Sequence, residues 1–167
     1  LPLSVSERGA GGERFAVSTA DTKPLPPTPS PKRGGGAEVF SREQVLEFAT
    51  GSPSKAFGDR YRPFDGDRFI ARLPAPPYSF IDRVIGIANC EPWKLAPGGE
   101  AEVEYEVPRD AWYFASNRCE TMPYCVLNEI ALQACGWMAA YLGSALTSPH
   151  AMHFRNLGGN ATQHAAI

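Results

Sequence analysis

Glu129 is the only formal charge between Met122 and Leu146, in the run Met-Pro-Tyr-Cys-Val-Leu-Asn-Glu-Ile-Ala-Leu-Gln-Ala-Cys-Gly-Trp-Met-Ala-Ala-Tyr-Leu-Gly-Ser-Ala-Leu. A lone carboxylate in so apolar a stretch is costly unless it has a partner or a task. Such settings are where carboxylates do acid–base work. The other groups able to do chemistry are few. Cys90, Cys119, Cys125 and Cys135 form no CxxC and no paired metal spacing. Cys125 and Cys135 fall inside the apolar run, where a free thiol behaves as a small hydrophobe. The three histidines, His150, His153 and His164, all follow it.

The run is long enough for a helix of several turns and has no polar face, so it must be surrounded by protein or lipid. Its length is near the roughly 20 residues of a membrane span. Asn128, Glu129 and Gln133 along one stretch of it, and the lack of a basic flank after Leu146, oppose a span. The expected setting is a helix wrapped by the rest of the chain, with one acid aimed at a cleft. A net charge of −2 offers no basic excess for phosphates, which speaks against nucleic acid. Unpaired cysteines without metal spacing fit a reducing, cytoplasmic setting.

The 167 residues allow one domain of ordinary size. Residues 1–38 are rich in Gly, Ser and Pro, with the tract Lys23-Pro-Leu-Pro-Pro-Thr-Pro-Ser-Pro followed by Gly34-Gly-Gly. They are expected to be a disordered linker, and the tract a semi-rigid spacer or a ligand for a signalling module. The chain begins with Leu, as a processed or excerpted polypeptide would, and its first residues lack the pattern of a signal peptide.

The domain is expected over 39–167. Ser41 with Gln44 makes a capping-box pattern for a helix that Gly51 closes. A further helical turn is expected at Ser54–Gly58. Extended structure is expected from Phe69 to Pro74 and from Pro76 to Ile87, where prolines and β-branched residues cluster. Glu100 to Val107 alternates four glutamates with Ala101, Val103, Tyr105 and Val107, the pattern of a strand with one wet face. Trp112-Tyr-Phe should lead into a loop. Thr121 is a candidate cap for the long helix, with Pro123 in its first turn. Met152-His-Phe-Arg-Asn-Leu alternates again and should return to a sheet. A sheet curling round one apolar helix satisfies this order, an α+β architecture.

Several of these segments resemble a known family. Pro77-Tyr-Ser-Phe-Ile-Asp-Arg-Val, Pro108-Arg-Asp-Ala-Trp-Tyr-Phe and Met122-Pro-Tyr-Cys with Ala131-Leu-Gln and Tyr141-Leu-Gly are similar to motifs of the FabA-like β-hydroxyacyl-thioester dehydratases. The closer resemblance is to the dehydratase region of polyunsaturated fatty acid synthases. It is carried by Met122 to Gln133, Cys135-Gly-Trp, Ala140 to Leu146, Phe154-Arg-Asn-Leu-Gly-Gly and Glu91 to Gly99, and it extends from about Phe40 to the C-terminus. It implies a hot-dog fold, a curved antiparallel sheet round a central helix, here without the last long strands. An open sheet edge would follow, so the isolated chain is expected to be marginally stable or prone to aggregate.

The resemblance also implies roles. The family removes water from a 3-hydroxyacyl chain on an acyl carrier protein. It uses a His base on the loop before the helix, an acid near the helix start, and helix N-terminal N–H groups at the thioester carbonyl. Glu129 falls at the acid's position; it is either the general acid or a carboxylate bonded to a neighbouring strand or partner subunit. Tyr124 and Cys125 fall at the carbonyl-binding end, Tyr124 replacing the family's Gly. Asn117 stands where the His would be, on a shorter loop, and an amide has no basic nitrogen. Cys119 is close but, as a neutral thiol, a poor base. His153 is expected on the surface or in the sheet.

The unit therefore reads as a non-catalytic, pseudo-dehydratase hot dog, structural or half-site, paired with an adjacent hot-dog unit or a second copy that could supply the missing His. No metal or cofactor is implied. The alternatives are an acyl-thioester-binding scaffold without turnover and a hot-dog thioesterase using Glu129 with water.

Overall fold

The structure, a computed structural model, describes residues 3–6, 13–18, 39–155, 161–163 and 166–167. It is an α+β architecture in which a four-stranded antiparallel sheet lies against a long helix.

Helix α1 (Arg42–Thr50) begins where the sequence places it. Ser41 Oγ accepts from the Gln44 N–H and Gln44 Oε1 accepts from the Ser41 N–H, a completed capping box. Helix α2 (Pro53–Phe57) starts on a proline, whose fixed φ suits a first turn. A 3-10 segment follows at Asp59–Phe64. Strand β4 (Glu100–Tyr105) buries Ala101, Val103 and Tyr105, as its alternation predicts. Strand β3 (Arg83–Ala88) pairs with one edge of β4, with a register shift between Val84 and Gly86.

The other edge of β4 pairs with β2 (Glu13–Ser18), which pairs with β1 (Leu3–Ser6). Part of the leader expected to be a linker therefore supplies two strands. Their backbones take up the pairing edge that β4 offers, while Lys23 to Pro31 lies outside the described residues. The sheet order is β1-β2-β4-β3.

Helix α3 (Trp112–Asn117) occupies a stretch expected to run into a loop. Its Tyr113 is buried against Phe80, and the Trp112 indole N–H donates to the Pro77 carbonyl at 3.1 Å, so tertiary contacts hold a helix too short to stand alone. Helix α4 (Tyr124–Tyr141) is the long apolar helix. Pro123, not Thr121, is its N-cap, and no side chain caps it. It stops short of Leu146 because Gly143 turns the chain at φ +82°, ahead of a 3-10 turn at Ser144–Leu146.

Two expected strands are absent among the described residues. The stretch expected to be extended from Pro76 to Ile87 becomes strand only from Arg83, in β3; residues 69–81 join no ladder, since Pro74, Pro76 and Pro77 cannot donate to one, and turn at Pro76-Pro77, where the Tyr78 N–H donates to the Ala75 carbonyl at 3.0 Å. Instead Ile70, Leu73, Phe80 and Ile81 are buried in the core that α4 shares. Residues 151–155 are irregular and exposed; the His153 ring rests on Phe69 at 4.4 Å between centroids.

The core sits between α4 and its neighbours. Ile130, Ala134 and Trp137 of α4 are fully buried, together with Val45, Phe48, Tyr61, Phe80, Val84 and Val103. Trp137 stacks on Tyr141 at 5.3 Å and meets Phe40 and Phe57 edge-on, which ties α2 to the back of α4. The Tyr61 hydroxyl donates to the Ala140 carbonyl, fixing the 3-10 segment to the last turn of α4. Among the described residues, no helix is long and apolar enough to cross a membrane.

Candidate functional site

Cys125, Glu129 and Gln133 recur every four residues on α4 and so share one face of it. Gln133 is buried, and its amide uses both ends. Its Oε1 accepts from the Phe80 N–H at 2.9 Å. Its Nε2 donates to the Tyr78 carbonyl at 2.9 Å and to Glu129 Oε1 at 3.1 Å. One side chain thus replaces the ladder partner that 78–80 lacks and orients the carboxylate one turn earlier.

Glu129 is half-buried. The hydrogen bond from Gln133 leaves its second oxygen without a protein donor among the described residues. Tyr78 stands beside it. Its phenol is pushed up by loss of solvent, and further by the nearby Glu129 carboxylate and Cys125. Both exposed aromatics here are held: Tyr78 stacks on Trp112 at 6.1 Å with 30° between planes, and the Trp112 indole is anchored at Pro77. Cys125 is exposed at the start of the helix.

At that start the Val126 and Leu127 N–H groups both donate to the Pro123 carbonyl, at 2.9 and 3.2 Å. The Tyr124 and Cys125 N–H groups find no acceptor among the described residues, so the positive end of α4 is open at these two donors. The later chain crosses close by: the Met122 N–H donates to the Ile167 carbonyl at 2.7 Å and the Tyr124 hydroxyl to the Ala161 carbonyl at 3.0 Å.

Of the residues singled out from the sequence, Glu129, Tyr124 and Cys125 lie on the first two turns of α4. Asn117 ends α3, is exposed, and makes no hydrogen bond to Glu129. Cys119 is exposed beyond it. His150 and His153 lie on the exposed stretch after α4, and neither bonds to Glu129; His164 is outside the described residues. No cluster able to hold a metal ion occurs among the described residues.

Sequence reasoning missed the roles of Gln133, Tyr78 and Trp112. An amide four residues after the only acid of an apolar helix was the available signal for Gln133. Nothing local marks Tyr78 or Trp112, because their meeting depends on the path of 69–82.

What the arrangement offers is an oriented carboxylate, a phenol, a thiol and two open backbone donors beside an aromatic ledge. It can donate or accept a proton at Glu129 and receive a carbonyl oxygen at the helix end. It contains no histidine base among the described residues.

No family model matches the chain. Over 95 residues, 57% of its length, it is 35% identical to a polyunsaturated fatty acid synthase subunit of Thraustochytrium sp. (strain ATCC 26185 / S-3). The matched stretch is 6% of that much longer polypeptide, so what the chain resembles is a small region of a fatty acid synthase.

Proposed function

We propose that the chain is a hot-dog unit of the dehydratase region of a fatty acid synthase of the polyunsaturated type, a pseudo-dehydratase that binds a 3-hydroxyacyl thioester without completing its dehydration. The acyl chain is carried by an acyl carrier protein, and an adjacent hot-dog unit provides the missing base. The observation that carries the reading is the half-buried Glu129 carboxylate, held by Gln133 one turn into an apolar helix whose first N–H groups are open. The similarity to part of a fatty acid synthase supports the same direction.

Dehydration needs a base at C2 and an acid at the 3-hydroxyl, with donors that stabilise the enolate-like thioester oxygen. Glu129 fits the acid, and the Tyr124 and Cys125 N–H groups fit the donors. Asn117 cannot take the C2 proton. The half-site therefore binds and polarises the thioester while the proton abstraction stays with a partner.

Hydration of a crotonyl-type pantetheine thioester, the reverse reaction, tests this. The wild-type chain and Asn117→His should both leave the thioester unhydrated, since Asn117 makes no hydrogen bond to Glu129, while a crotonyl thioester still binds. Turnover by the wild-type chain alone would overturn the half-site assignment. Hydrolysis of the thioester that disappears in Glu129→Gln would replace it with a thioesterase.

A further inference from the structure

Tyr78 is not among the groups that an acid, a base and a carbonyl-binding helix end account for. Its position is nonetheless fixed from three sides. Its carbonyl accepts from Gln133 Nε2 at 2.9 Å, and the same nitrogen donates to Glu129 at 3.1 Å, which makes Tyr78 and Glu129 neighbours across one amide. Its ring packs on Phe80 at 4.9 Å on the inner side and stacks on Trp112 at 6.1 Å. Trp112 is itself anchored by its indole N–H at Pro77, one residue away.

Despite this support, Tyr78 is 41% exposed, Trp112 equally so, and the Tyr78 hydroxyl has no hydrogen-bond partner among the described residues. A rigid aromatic pair left open beside an oriented carboxylate provides an apolar wall with one polar tip. Loss of solvent around the phenol, with Glu129 and Cys125 close to it, keeps the O–H protonated and able to donate.

We propose that Tyr78 is the residue by which this site distinguishes a 3-hydroxyacyl thioester from its 3-deoxy counterpart. The phenol donates to the 3-hydroxyl oxygen beside Glu129, and the Tyr78–Trp112 pair lines the adjoining acyl carbons. This rests on the acyl-thioester reading of the Glu129 site and adds to it the group that recognises the hydroxyl. A site built to hydrogen-bond a substrate hydroxyl disfavours the analogue that lacks it, because its polar group is then left unpaired.

The test is calorimetric binding of 3-hydroxydecanoyl pantetheine thioester and decanoyl pantetheine thioester to the wild-type chain, Tyr78→Phe and Tyr78→Ala. The wild-type chain should prefer the 3-hydroxy ligand by about tenfold, the scale of one well-made hydrogen bond. Tyr78→Phe should bind the decanoyl ligand as the wild type does and lose the preference. Tyr78→Ala should weaken both ligands. Thermal melting of Tyr78→Phe should match the wild type, since the deleted oxygen bonds to nothing among the described residues. A wild-type chain that binds both ligands equally, or a Tyr78→Phe chain that keeps the preference, overturns the role of Tyr78 and leaves the acyl reading standing. A wild-type chain that binds neither ligand overturns both.

Discussion

Replacing Gln133 with Leu is the sharpest perturbation of the packing that builds the site. Leu fits the volume and helix propensity of the position, so what is lost is polar. The Phe80 N–H at 2.9 Å and the Tyr78 carbonyl at 2.9 Å lose their partner, and Glu129 loses the donor at 3.1 Å. Phe80 is fully buried, so its N–H has no route to water. Leaving a buried polar group unsatisfied costs about 1–3 kcal/mol. Tyr78 and Glu129 are partly solvated and recover much of their loss. The expected destabilisation is about 3 kcal/mol, or roughly 10 °C in Tm for a domain of this size. Glu129→Gln, which changes only the half-buried end of the same network, should stay within about 1 kcal/mol of the wild type. Urea and thermal unfolding followed by circular dichroism measure both. A Gln133→Leu chain within about 1 kcal/mol of the wild type, or a Glu129→Gln chain destabilised as much as Gln133→Leu, would refute the claim that Gln133 serves structure and Glu129 serves the ligand.

Gly143→Ala should destabilise by about 2 kcal/mol: the residue sits at φ +82°, and an added Cβ would lie 2.9 Å from the Trp93 Cα, a backbone atom that cannot swing away. Equilibrium unfolding checks it. Iodoacetamide with mass spectrometry should modify Cys119 and Cys125, which are exposed, before Cys90 and Cys135, whose thiols burial pushes up and keeps less ionised. The Tyr61 and Tyr113 phenols are held above their ordinary value of 10.0 chiefly by burial, so the folded chain keeps their protons when the unfolded chain has lost them. Their contribution to stability is complete below about pH 10 and falls as pH rises beyond it, which urea midpoints should show as a plateau up to about pH 10 followed by a decline.

Much of this was legible in the sequence because its signals are local. The Ser41 and Gln44 pairing, the alternation in β4, and the solitary acid of α4 each depend on residues within a few positions of one another. The segment 69–82 was not legible as what it is. Prolines and β-branched residues favour an extended backbone whether or not it enters a ladder, and the groups that satisfy its backbone, the amide of Gln133 more than fifty residues on and the indole of Trp112, reach it only through the fold. Helix α3 was hidden for the same reason: its support comes from Phe80 and Pro77. Strands β1 and β2 sit in a leader whose average composition reads as linker, while two short stretches of it pair with the edge β4 leaves open. At the site, the single acid stood out as a charge in an apolar run, whereas Tyr78 and Trp112 acquire meaning only once the chain is folded.

The proposed function turns on the Glu129 carboxylate facing an acyl thioester. Its most direct test is the Kd of 3-hydroxydecanoyl pantetheine thioester for the wild-type chain and for Glu129→Ala, with melting curves to establish that both are folded. The expected result is a variant of unchanged fold that binds about tenfold more weakly, the loss of one well-made hydrogen bond. Equal affinity in the two folded proteins would contradict it.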